Sequence, residues 1–130
     1  MSAAPFALAL GARPVVARLI REGFDFDLID AHYYYPDGVA AALLAQWFDK
    51  PFVVTARGTD LNLLPQFAIP RRLIQWTARR AAASIGVSRA LTDILAELGA
   101  PRERLFTLRN GVDLQRFRPL PKAESRTALG

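Results

Sequence analysis

The chain has 130 residues, 52% of them hydrophobic and 22% charged, which suits one folded domain with a buried core and excludes a disordered chain. It has no cysteine and a single histidine, His32, so a disulfide framework, a thiolate metal site and a histidine-rich metal site built from this chain alone are excluded. The formal charge of +5, carried by fifteen arginines and two lysines, fits a solvated surface or phosphate-bearing partners; with no stripe of interleaved basic and aromatic residues, nucleic acid is not expected among them.

The opening run, residues 1–12, is apolar but lacks the basic residues that open a signal peptide, and it is too short to cross a bilayer. It reads as a loop or helix of the fold. Pro14 suits the first turn of a helix whose apolar stripe is Val15, Val16, Leu19 and Ile20, with Gly23 after its last turn. Residues 27–32 predict a short strand ending in polar residues, and Pro36-Asp37-Gly38 breaks the chain. Residues 39–48, rich in Ala and Leu, predict a helix stopped by Pro51. The β-branched content of residues 52–55 predicts a buried strand. Residues 57–62 read as loop, and Pro70 opens a helix to about Ala82. A third strand follows over 84–87. Ser88 is an N-cap for a helix with Leu91, Ile94, Leu95 and Leu98 on its buried stripe, ended by Gly99 and Pro101. Residues 105–108 form a fourth strand, and the tail from Arg116, with Pro119 and Pro121, reads as a linker.

Short apolar strands alternating with amphipathic helices predict an α/β fold, a parallel sheet with helices on both faces. Ligands of such sheets bind at the carboxyl ends of the strands. That rule selects four loops, at 32–38, 57–62, 87–89 and 110–113, where the polar and glycine residues concentrate. No dinucleotide fingerprint, phosphate-binding P-loop, hydrolase nucleophile elbow or zinc-protease motif is present.

The string GVSRALTDILAELGAPRERLFTLRNGVDLQRFRP, from Gly86 to Pro119, closely resembles the end of the N-terminal domain of family 4 glycosyltransferases: G-V-S, an amphipathic helix, L-G-x-P, a short strand, N-G-V-D and R-F-x-P. VVTARGTD resembles that family's strand followed by H-G-S/T-D, with Arg57 where histidine is common. DLIDAHYYYPDG resembles the strand and loop that carry a histidine near the reaction centre. The likeness runs from about Asp25 to Pro119 and is nearest to the transferases of bacterial cell-surface polysaccharides. It implies a Rossmann-like, partial N-terminal domain of GT-B architecture over residues 1–115, with residues 116–130 as an interdomain linker and the start of a C-terminal domain. The family's first strand and glycine-rich turn are not found, so the chain is expected to be a fragment. The family's activity is transfer of a sugar, with retention, from a nucleotide sugar to a glycan or lipid-linked acceptor. The nucleotide sugar is a donor substrate, and no metal or further cofactor is implied.

The same likeness assigns candidate residues. His32 is a catalytic-cleft imidazole, or else one that only bonds a neighbouring loop. Asp60 is a second catalytic candidate, orienting an acceptor hydroxyl, and equally a cap for the turn it opens. Arg57 can pair with phosphate, Gly58 permits close approach of a ligand, and Thr59 is a cap or a contact. Ser88 is an N-cap whose helix terminus can also face an anion. Asn110 and Gly111 form a turn beside the interdomain cleft. Tyr33, Tyr34 and Tyr35 offer a stacking wall for a sugar or ordinary packing. Arg71, Arg72, Arg79 and Arg80 flank a helix that is either solvated or rests on anionic lipid at the inner face of the cell membrane; the expected location is cytoplasmic. A GT-B nucleotide-sugar epimerase and a non-catalytic binding half are the alternatives.

Overall fold

The computed structural model describes residues 3–130; Met1 and Ser2, the start of the apolar opening run, lie outside them. Four strands, β1 (Ile29–His32), β2 (Phe52–Ala56), β3 (Ala83–Gly86) and β4 (Leu105–Thr107), form one sheet in the order β1-β2-β3-β4. Every neighbouring pair is parallel. The connections are helical: α2 (Val39–Phe48) between β1 and β2, the single turn α3 (Thr59–Asn62) and then α4 (Ala68–Arg80) between β2 and β3, and α5 (Arg89–Glu97) between β3 and β4. Helix α1 (Ala4–Arg21) precedes the sheet and packs on α2, and α6 (Lys122–Leu129) closes the chain.

Register decides what each face carries. Ala31 lies beside Val54, Val54 beside Ser84, and Ser84 beside Leu105, so these side chains share one face. Ala31, Val54 and Ser84 are buried there, and Val39, Ile74, Ala78, Leu91 and Leu95 complete the core above them. The head of α2 touches this face, because Gly38 sits against Val54. So does α5, because Gly86 lies directly under the backbone of Thr92. The opposite face bears Asp30, His32, Val53, Thr55, Ala83, Ile85 and Phe106. Asp30 and His32 are exposed there, Val53 and Ile85 half-buried, and Phe106 is 48% exposed.

The expected α/β, Rossmann-like parallel sheet is therefore present, but its crossover helices gather on one face rather than covering both as expected. Right-handed crossovers that always step toward the same edge leave their helices on one side; only a reversal of strand order sends helices to the other.

Three local expectations change. Pro14 lies inside α1, whose start is Ala4, ten residues earlier. The upstream Ala and Leu residues are strong helix formers, and packing of α1 on α2 offsets the bond that proline removes. Residues 59–62 make a helical turn rather than irregular loop. The tail read as linker contains α6, although every residue from 109 to 130 except Ser125 is exposed. Among the described residues no helix is long and apolar enough to cross a membrane.

Candidate functional site

The carboxyl ends of β1, β2 and β4 bring three of the candidate side chains into one chain of contacts. His32 is the last residue of β1 and is paired in register with Thr55. Arg57 leaves β2 one residue beyond its end. Its Nη2 lies 2.9 Å from His32 Nδ1, and its Nη1 donates to Asn110 Oδ1 at 3.4 Å. On the other side of the imidazole, Nε2 lies 3.6 Å from Asp30 Oδ2, two residues back along the same face of β1. The side chains of His32 and Asp30 are 49% and 56% exposed, so this row of groups is open to a ligand.

Asp60 is placed differently. It is 1% exposed, and its carboxylate accepts from three backbone N–H groups: Tyr34 at 2.8 Å, Gly58 at 2.8 Å and Arg57 at 3.2 Å. With its oxygens so engaged, Asp60 ties the loop after β1 to the loop after β2 and does not face the open row. Gly58 has φ +145°, a region open in practice only to glycine, and that turn aims its N–H back at Asp60. Thr59 is exposed at the first position of α3.

Ser88 caps α5: its Oγ accepts from Leu91 N at 3.4 Å. It follows the end of β3, where Val87 N reaches Ala56 O, so it sits in the same row of loop ends as Arg57 without a side-chain contact to it among the described bonds. Gly111 is exposed, and nothing lies within 4 Å of where a Cβ would be.

The three tyrosines divide. Tyr34 and Tyr35 are core residues at 0% and 6% exposure. The hydroxyl of Tyr34 donates to Ser84 Oγ at 2.5 Å within the core. Burial pushes the Tyr34 phenol well above its ordinary range; the bond to Ser84 pulls the other way, and the Asp60 charge adds to the rise. Tyr33 alone is exposed, next to His32, with φ +75°, which costs a non-glycine residue about 1–3 kcal/mol. Two backbone bonds hold it there, Tyr33 N to Thr55 O and Gly38 N to Tyr33 O, within an irregular turn over Tyr34–Gly38 that contains a cis Tyr35–Pro36 bond.

A groove of about 320 Å³ beside β1 is lined by Asp30 and His32, by Ala40 and Leu44 of α2, and by Leu8 and Ala12 of α1. A larger cavity of about 640 Å³ opens between Lys50, Phe52, Arg80 and Arg104, at the amino ends of the strands and remote from His32. Sequence reasoning missed Asp30. Its period-two spacing from His32 on a predicted strand was the available signal.

Comparison with known proteins gives the family. The description Glycosyltransferase Family 4 matches residues 2–116, and the chain belongs to that family. It is 29% identical over 107 residues to a putative teichuronic acid biosynthesis glycosyltransferase, TuaC, of Bacillus subtilis, spanning 80% of this chain and 27% of that protein. It is 31% identical over 123 residues to D-inositol 3-phosphate glycosyltransferase 1 of Catenulispora acidiphila, spanning 88% of this chain and 29% of that protein. In fold it is similar to the Anabaena protein HepE, whose crystal structure holds UDP, with a TM-score of 0.64 and 24% identity over 89% of this chain and 32% of that one. The chain thus spans under a third of the length of these relatives, as a partial Rossmann-like domain of GT-B architecture.

Proposed function

We propose that the chain is the acceptor-side, N-terminal part of a retaining glycosyltransferase that moves a sugar from a nucleotide sugar to a glycan or lipid-linked acceptor in bacterial cell-surface polysaccharide synthesis. The observation that carries this reading is the row Asp30–His32–Arg57–Asn110 across the carboxyl ends of three parallel strands, where ligands of such sheets bind. His32 is the catalytic-cleft residue of the proposal, placed to hydrogen-bond the transferring sugar or its leaving group. Arg57 uses two of its donors within the protein and keeps others for a phosphate or sugar oxygen. Asp60 serves by fixing the loops that hold them. Gly58, Thr59, Ser88 and Gly111 form the adjoining wall, and a second GT-B domain would hold the nucleotide. The UDP of the Anabaena relative and the teichuronic acid context of the Bacillus relative support a nucleotide-sugar donor and a cell-surface product. A cytoplasmic site facing the inner membrane surface follows for lipid-linked acceptors, with the exposed Arg71, Arg72, Arg79 and Arg80 of α4 toward anionic lipid.

The test joins the chain to, or mixes it with, a C-terminal domain of the same family and offers a panel of nucleotide sugars and acceptors. Transfer with the anomeric configuration of the donor kept, read by NMR of the product, supports the proposal. Inversion, or release of free sugar with no acceptor product, overturns it.

A further inference from the structure

We infer that Arg57 is a positioning residue that fixes the tautomer of His32, so that the imidazole meets its ligand as an N–H donor from Nε2. The inference deepens the proposed role of His32 and rests on that reading for its functional meaning, although the tautomer itself stands on geometry alone. A guanidinium has five N–H donors and no acceptor. The 2.9 Å contact between Arg57 Nη2 and His32 Nδ1 is therefore a hydrogen bond only if Nδ1 offers its lone pair. In a neutral imidazole the proton must then sit on Nε2. That nitrogen is the one turned toward Asp30 Oδ2, at 3.6 Å, beyond hydrogen-bond length, so the N–H is oriented by the carboxylate without being consumed by it. Asn110 Oδ1 accepts from the other arm of the guanidinium and keeps its plane from swinging away.

The consequence is directional. With Nδ1 occupied by Arg57, His32 has no free lone pair to take a proton from an acceptor hydroxyl. What it presents is a donor, matched to an oxygen that gains negative charge as a bond to it breaks, or to a sugar hydroxyl oxygen. Arginine at position 57 thus makes the neighbouring histidine a donor in a way that a second histidine, able to donate or accept, would not enforce.

His32 is the only histidine in the chain, so its ring nitrogens can be read without assignment ambiguity. The experiment is a long-range proton–nitrogen correlation spectrum of the uniformly ¹⁵N-labelled 130-residue chain, at a pH where the imidazole is neutral, with Arg57→Ala, Arg57→Lys and Asn110→Ala compared. The expected wild-type pattern has Nδ1 as the bare, pyridine-like nitrogen and Nε2 as the protonated one. Arg57→Ala should raise the share of the Nδ1–H form by roughly fivefold or more, the ratio one hydrogen bond sets. Arg57→Lys, which still donates, should raise it less, and Asn110→Ala less again. Backbone amide dispersion reports folding of each variant, and Arg57 is exposed, so its loss leaves the core intact. A wild-type ring protonated on Nδ1 overturns the inference, and so does a pattern that Arg57→Ala leaves unchanged. Neither result touches the transfer assay, so failure here and failure of the proposed function are separate outcomes.

Discussion

Individual side chains in this domain are either open to a ligand or spent on the fold, and the two kinds fail differently. His32 is of the first kind. In the two-domain assembly, His32→Ala is expected to lower kcat/KM by an amount equal to about 2 kcal/mol or more, the usual scale of an acid–base or charge-stabilising group. Unaltered kcat/KM in a folded His32→Ala protein would remove the catalytic assignment. Tyr34 is of the second kind, and its phenol gives a pH signature. Its folded-state pKa is raised above the ordinary value of about 10, mainly by burial. Below that value both states hold the proton and the shift leaves stability unchanged. Above it the unfolded chain releases the proton while the folded chain keeps it, so stability falls with rising pH by up to about 1.4 kcal/mol per unit. Tyr34→Phe lacks this term but leaves Ser84 Oγ, which is 1% exposed, without its partner. The variant should therefore be less stable near neutrality, by about 1–3 kcal/mol, with the gap narrowing as pH passes about 10. Urea midpoints for both proteins across that range make the check, and a gap constant with pH would contradict it.

At the scale of elements, close approach of α5 to the sheet is the feature most exposed to a single change. A Cβ at Gly86 would stand 2.9 Å from Thr92 N and 3.1 Å from Ser88 O, both backbone atoms that cannot swing aside. Gly86→Ala should push the start of α5 off β3 and cost about 1–3 kcal/mol, whereas Gly111→Ala, with open space around it, should change stability by less than about 0.5 kcal/mol. Denaturant midpoints of the two variants compare them, and equal losses would refute the account. Most elements were legible because their signals are local: α2 spans the expected residues 39–48, and Ser88 caps α5 as its type and position predict. The start of α1 was misread because Pro14 carries a first-turn signal that tertiary packing overrides. The site was legible in part. That His32, Arg57 and Asn110 lie on strand ends follows from pattern, but their mutual contacts, across 25 and 53 residues of sequence, depend on strand order and register. The burial of Asp60 was hidden for the same reason: two of its donors are local, at positions 57 and 58, and the third, Tyr34 N, comes from another loop.

For the whole molecule, the question is how much of a transfer reaction one wall can perform. The described residues offer one open row, Asp30 to Asn110, with a groove of about 320 Å³ beside it. Holding donor and acceptor in register can supply roughly 7–11 kcal/mol of barrier reduction, but only when both reactants are gripped at once. The relatives are more than three times as long as the matched segment, which leaves ample chain for a second grip. The charges here are also too few to surround a departing diphosphate: Arg57 is the cation of the row, and His32 adds one donor. Nucleotide affinity of this chain alone should accordingly be weak, on the order of millimolar. The expected outcome is that the 130-residue chain by itself transfers no sugar above background, and that activity appears when a C-terminal domain of the family is joined or docked to it. Radiolabelled sugar transfer and nucleoside-diphosphate release, with purified chain and a panel of donors and acceptors, measure this directly. Turnover by the chain alone, surviving repurification and lost in His32→Ala, would show that one wall suffices and that the two-domain reading is wrong.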